Sequence, residues 1–143
     1  MRVLHVEDNP GDLVLTREAL KRSEIDCSVH EARDVRSAQT FLSRTGRHAD
    51  APEVDLVLLD LNLIGGSGHE VLAWVRSQRA FEKLPVVVLT SSPAQSDFQR
   101  AKNVGATGYC VKPRELREFV SVVDELMRFW GSAGVAEPGS APG

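Results

Sequence analysis

Four short apolar runs in this chain each end in a polar residue suited to phosphoryl chemistry. Val3-Leu4-His5-Val6 runs into Glu7-Asp8, Leu56-Val57-Leu58-Leu59 into Asp60, Val86-Val87-Val88-Leu89 into Thr90, and Gly108-Tyr109-Cys110-Val111 into Lys112-Pro113. If the runs are strands of one parallel sheet, their carboxyl ends share an edge, where such sheets bind ligands. Three carboxylates, a hydroxyl and an ammonium would then meet. Two like charges about 4 Å apart repel by roughly 4 kcal/mol at an effective dielectric near 20, so the carboxylates call for a cation. All-oxygen ligation without histidine or thiolate selects a hard ion, and Mg²⁺ commonly uses one or two carboxylates, waters and phosphate oxygens. A carboxylate beside it can attack phosphorus to give an acyl phosphate, with Lys112 neutralising the transferred group and Thr90 donating to one of its oxygens. Taken singly, each residue has a plainer use: a solvated carboxylate, a helix cap, a surface lysine. The pattern lies in all four runs ending this way in chain order.

The elements that must position these residues alternate along the chain. Asn9-Pro10-Gly11-Asp12 forms a turn, with Asp12 expected to cap a helix carrying Val14, Leu15, Ala19 and Leu20. Residues 27–32 make a less apolar strand, expected at an edge, and Val35, Ala38, Phe41 and Leu42 mark a second helix. The polar stretch 43–53 is a loop. The run ending at Asp60 is continuously apolar, as in a strand covered on both faces. Gly65-Gly66-Ser67-Gly68 breaks the chain before a helix with Val71, Leu72, Trp74 and Val75, where Trp74 packs on the sheet. Ser91-Ser92-Pro93 leads to a helix with Phe98, Ala101 and Val104 that Gly105-Ala106 stops, and Leu116 through Met127 give the strongest helical stripe. Five strands alternating with five helices imply an α/β doubly wound parallel sheet. Its strand order is not readable from periodicity; 2-1-3-4-5 is the usual solution at this size.

The 143 residues suit one domain, read as 1–130, with a Gly/Ala/Ser/Pro-rich tail over 131–143 expected to be disordered. A net charge of -3 and the lack of a basic cluster or zinc-finger spacing argue against direct contact with nucleic acid. No run approaches the roughly 20 apolar residues that span a bilayer, and an initial strand at residue 3 leaves no room for a signal peptide. Cys27 and Cys110 read as buried thiols, so the cytoplasm is the expected compartment. His5, His30, His48 and His69 have no metal-ligand spacing.

Val6-Glu7-Asp8-Asn9, Leu59-Asp60-Leu61-Asn62-Leu63 with Gly68, Leu89-Thr90-Ser91 and Val111-Lys112-Pro113 together resemble the receiver domain of two-component response regulators, over residues 1 to about 130. The resemblance implies a flavodoxin-like fold, with Asp60 accepting a phosphoryl group from a histidine-kinase phosphohistidine. It implies Mg²⁺ held by Asp8 directly, by Glu7 largely through water, by Asp60 and by the backbone carbonyl of Asn62. Lys112 would pair with Asp60 and then with the phosphoryl group, its bond to Pro113 cis as in the family. Thr90 and Tyr109 would be the switch pair, the hydroxyl turning to the phosphoryl group and the ring moving inward behind it. Two positions depart from the usual pattern: Ile64 stands where proline is common, and Glu7-Asp8 where Asp-Asp is commoner.

The segment Val6 to Asp12, the loop before the third strand and Thr90-Ser91-Ser92-Pro93 resemble more narrowly the stand-alone regulators that serve phytochrome-type sensor kinases. With no output domain after residue 130, the expected output is protein contact, onward phosphotransfer or a homodimer through the last two helices and last strand. Phe129-Trp130 either close the core or join that contact. A phosphatase or phosphomutase with a nucleophilic aspartate is the enzymatic alternative. Such enzymes want a second aspartate at position 62, where this chain has Asn62, and a cap domain. An interaction module that has lost the chemistry is the other alternative, and the complete residue set argues against it.

Overall fold

Strands that are apolar on both faces need helices on both, and the computed structural model supplies them. It describes residues 1–23, 25–63 and 65–132, with 130–132 as backbone alone. The expectations for Ile64, the Trp130 side chain and the tail beyond 132 lie outside the described residues. The order is β1 (Arg2–Val6), α1 (Pro10–Lys21), β2 (Ser28–Ala32), α2 (Val35–Ser43), β3 (Leu56–Leu59), β4 (Asn62–Leu63), β5 (Gly66–Ser67), α3 (Gly68–Ser77), β6 (Val86–Thr90), α4 (Gln95–Val104), β7 (Gly108–Val111) and α5 (Leu116–Ser132). The five main strands pair in parallel in the order β2-β1-β3-β6-β7. Numbered among themselves they run 2-1-3-4-5, the doubly wound arrangement expected.

Every residue of β3 and β6 is buried, which accounts for their unbroken apolar runs. Val57, Leu59, Val86 and Val88 meet Phe41 of α2, Val71, Leu72 and Val75 of α3 and Ala101 of α4 on one face. Leu56, Leu58, Val87 and Leu89 meet Ala19 and Leu20 of α1 and Phe119, Val123, Leu126 and Met127 of α5 on the other. The outer strands β2 and β7 are half-exposed, as edges must be. Trp74 packs partly buried against the first cluster, beside Phe81.

Four local readings change. Asn9, not Asp12, caps α1: its Oδ1 accepts the Asp12 N–H at 3.0 Å. Asn9→Ala is therefore expected to cost about 1 kcal/mol, read as a shift in denaturant midpoint. A small antiparallel hairpin, β4 with β5, follows Asp60 where only a chain break was read, Gly65 turning it at φ +71°. Cys27 lies just before β2, and both cysteines are free and half-buried, packed on the second cluster. The Lys112–Pro113 bond is trans, since no peptide bond among the described residues is cis. Trans is favoured before proline by about 0.5–1 kcal/mol, and the long lysine side chain reaches the sheet edge from it.

Candidate functional site

Because β1, β3, β6 and β7 run in parallel, their carboxyl ends converge as the polar endings required. Glu7, one residue past β1, is fixed by its own N–H donating to Ala32 O of the neighbouring strand. Asp60 follows β3, and its N–H donates to Val6 O at 3.0 Å. Thr90 ends β6 fully buried, and Lys112 follows β7 with its N–H on Thr90 O at 2.7 Å. The backbone ladder itself thus delivers all four side chains to one point.

There the Lys112 ammonium, its side chain 6% exposed, donates to Asp60 Oδ2 at 2.7 Å, to Asp12 Oδ2 at 2.9 Å and to Glu7 Oε1. The other Asp60 oxygen accepts the Asn62 N–H at 2.8 Å and faces the Thr90 hydroxyl at 3.5 Å. The second Glu7 oxygen accepts the N–H groups of Asp8 and Asn9 at 3.1 and 3.4 Å. Carboxylate oxygens of Glu7, Asp12 and Asp60 lie within 4.8 Å of one another. Asp8, half-buried, is not one of these three converging carboxylates, and Asp12 is. Asp12 was expected to cap the helix; the signal against this was Asn9, an equally good cap at the start of the same turn.

Burial, then the neighbouring Asp60, pushes the Glu7 carboxyl up to about 7, and Lys112 only partly offsets this. For Asp60, burial again opposes ionisation, but Glu7 as the protonated partner, the Asn62 N–H and Lys112 outweigh it and hold the carboxyl below its usual range. Burial alone would lower the Lys112 pKa; Asp60, Glu7 and Asp12 together raise it above an ordinary lysine. Asp60 therefore stays an ionised carboxylate at neutral pH while Glu7 takes up the charge crowding.

Linkage fixes the sign of the result. Between 4.5, the ordinary value for glutamate, and about 7, the folded state holds a proton that the unfolded chain has lost. Without divalent cation, stability is expected to fall with rising pH across that window, by at most about 1.4 kcal/mol per unit. Denaturant midpoints measured in a chelator check this, and Glu7→Gln is expected to flatten the decline.

Outward from the pocket, Ser92 uses all three of its polar groups. Its N–H donates to Thr90 Oγ1 at 3.3 Å, its carbonyl accepts from Tyr109 Oη at 3.2 Å, and its hydroxyl donates to Asp97 Oδ2 at 2.7 Å. Asp97 Oδ1 meets Nε2 of buried His69 at 3.2 Å, tying α4 to α3. Tyr109 stacks edge-on against Phe98. The two expected switch residues, Thr90 and Tyr109, are thus joined through the loop between β6 and α4. His69 and Asp97 carried no functional signal in sequence because the pair spans 28 positions. His5 is fully enclosed, its ring nitrogens without partners, and burial followed by Lys112 pushes its pKa down to about 3. It is a neutral core residue.

The fold and this pocket place the protein among doubly wound α/β domains with a charged crevice at the carboxyl edge of the sheet. Residues 3–124 match the family model of the response regulator receiver domain, and the chain belongs to that family. It is 36% identical to the response regulator Rcp1 of Synechocystis sp. over 128 residues, covering 90% of this chain and 87% of that one. Among solved structures it resembles the phosphorylated cyanobacterial phytochrome response regulator RcpA at 34% identity and a TM-score of 0.88, covering 97% and 98% of the two chains. The Mn²⁺-bound form of Rcp1 is similar at 34% identity and a TM-score of 0.84, covering 99% of each.

Proposed function

We propose that the protein is a phosphorylation switch in which Asp60 accepts a phosphoryl group from the phosphohistidine of a sensor kinase. The observation that carries this is the pinning of the Asp60 carboxylate, Oδ2 on Lys112 and Oδ1 on the Asn62 N–H, at the open end of the sheet. An oxygen lone pair of Asp60 forms the new P–O bond as the P–N bond breaks and the imidazole keeps its electrons. Lys112 then follows the charge onto the phosphoryl oxygens, and the Thr90 hydroxyl, already facing Asp60 Oδ1, donates to one of them.

The converging oxygens of Glu7 and Asp60, their crowding in a buried pocket, and an all-oxygen donor set suit Mg²⁺. Glu7, Asp60, Asp8 and the Asn62 carbonyl would hold it, and when bound it neutralises charge on the transferring group. Turning the Thr90 hydroxyl to the phosphoryl group withdraws an acceptor from the Ser92 N–H and so disturbs the Tyr109 and Asp97 contacts. The output surface is the face of α4, β7 and α5, where Val111 and Leu116 are 44% and 45% exposed, a fit for a homodimer or a protein target. Similarity to regulators described as phytochrome partners supports a phytochrome-type kinase. No helix among the described residues is long and apolar enough to cross a membrane. The site is built to hold a phosphoryl group; position 62, where a phosphatase would place its acid, is an exposed asparagine.

Incubation with acetyl phosphate, with and without Mg²⁺, tests this by intact mass. A single Mg²⁺-dependent, base-labile phosphoryl adduct is expected, and unmodified protein under every condition would contradict it.

A further inference from the structure

The third carboxylate on the Lys112 ammonium is not needed to explain the switch. Asp12 sits in the first turn of α1, 2.9 Å from Lys112 Nζ, and its side chain is 32% exposed where those of Glu7 and Asp60 are almost completely enclosed. Capping is done by Asn9, so the Asp12 carboxylate is left to the lysine. Lys112 hangs from the loop after β7, and Asp12 stands in the first turn of the helix that follows β1. This pair is therefore the contact that holds the lysine across the mouth of the pocket.

Glu7 and Asp60 would have to share with a bound dication the oxygens that the ammonium grips, and the ammonium would be repelled by its charge. Of the three partners Lys112 has, two are then shared with a stronger charge, and Asp12, nearest the solvent, is the one that remains its own. We infer that Asp12 is a positioning residue, retaining the Lys112 ammonium at the pocket mouth once a divalent cation occupies the inner carboxylates, within reach of a phosphoryl group arriving on Asp60. The inference rests on the assignment of Asp60 as phosphoacceptor. Asp12 acts only through Lys112 and touches no reacting atom.

Asp12→Asn keeps the shape and removes the charge. Three readouts in the full chain test it, alone and combined with Lys112→Ala: the initial rate of adduct formation from acetyl phosphate at saturating Mg²⁺, the Mg²⁺ affinity by calorimetry, and the ¹H–¹⁵N ammonium signal of Lys112 in the Mg²⁺-loaded protein. Asp12→Asn is expected to slow adduct formation about tenfold, with no further loss once Lys112 is alanine, as for residues acting as one unit. The ammonium signal, protected in the parent, is expected to vanish, while Mg²⁺ affinity changes less than about threefold because only a nearby charge is lost.

A full-rate Asp12→Asn protein, with or without reduced stability, overturns the inference. So does the same slowing in the Lys112→Ala background, or a large loss of Mg²⁺ affinity with the rate restored by excess metal, which would make Asp12 a ligand. Failure of the parent protein to form any adduct is a different result: it removes the phosphoacceptor reading itself.

Discussion

Asp60→Asn is expected to abolish the phosphoryl adduct completely while leaving a folded protein. The amide oxygen and nitrogen occupy the space of the carboxylate, so the Asn62 N–H keeps an acceptor, and Lys112 keeps Glu7 and Asp12. What disappears is the ionised nucleophile, and no neighbour replaces it. Glu7 has its second oxygen tied to two backbone N–H groups and its pKa raised to about 7, and Asp12 lies at the mouth. Removing the nucleophile of a site whose residues act together costs on the order of 10³-fold or more, which intact mass reads as no adduct. A denaturant midpoint close to that of the parent shows that the loss is chemical.

Gly68→Ala is expected to act on the fold and the site at once. A Cβ there would stand 2.1 Å from the Asp60 carbonyl oxygen, 2.8 Å from Leu61 Cα and 2.9 Å from the Asp60 carbonyl carbon. All three are backbone, so no side chain can swing aside. The contact exists because the Gly68 N–H donates to Leu61 O at 2.9 Å, drawing the start of α3 against the strand end. Relief requires either breaking this bond or moving Asp60 itself. A destabilisation of about 4 kcal/mol is expected, at the upper end for overpacking because the backbone must move, with slow adduct formation in whatever remains folded. Thermal unfolding together with the phosphorylation rate checks both halves, and an unperturbed protein would show that the close approach is not needed.

The polar strand endings were legible because two constraints coincide in them. A buried parallel strand needs an unbroken apolar run, and its carboxyl end is the first place where a charge meets solvent. Glu7, Asp60, Thr90 and Lys112 all follow from that one rule, and so do the two helical layers. Strand order came from the usual doubly wound solution at this size, since the apolar period of Val57 and Leu59 is the same whichever neighbour they pair with.

Other features depended on three-dimensional reach. Asn9 and Asp12 are both good caps, and only the traced turn separates the residue that bonds the backbone from the one that turns to Lys112. The β4–β5 hairpin is two residues per strand, too short for any periodicity. His69 reads as an ordinary helix residue, and its link to Asp97 and on to Ser92 emerges only when α3 packs beside α4. The trans Lys112–Pro113 bond differs from the expectation carried by resemblance, and from it the four-carbon stem still brings the ammonium to Asp60.

The most direct test of Asp60 as phosphoacceptor is to trap the acyl phosphate chemically and map it. Protein exposed to acetyl phosphate and Mg²⁺ is reduced with borohydride, which converts a phosphorylated aspartate to homoserine, then digested and sequenced by mass spectrometry. Homoserine is expected at position 60 alone, and only when Mg²⁺ was present. Homoserine at Asp8 or Asp12 in place of position 60 would contradict the assignment, and equal conversion at position 60 without Mg²⁺ would contradict the metal's part in it.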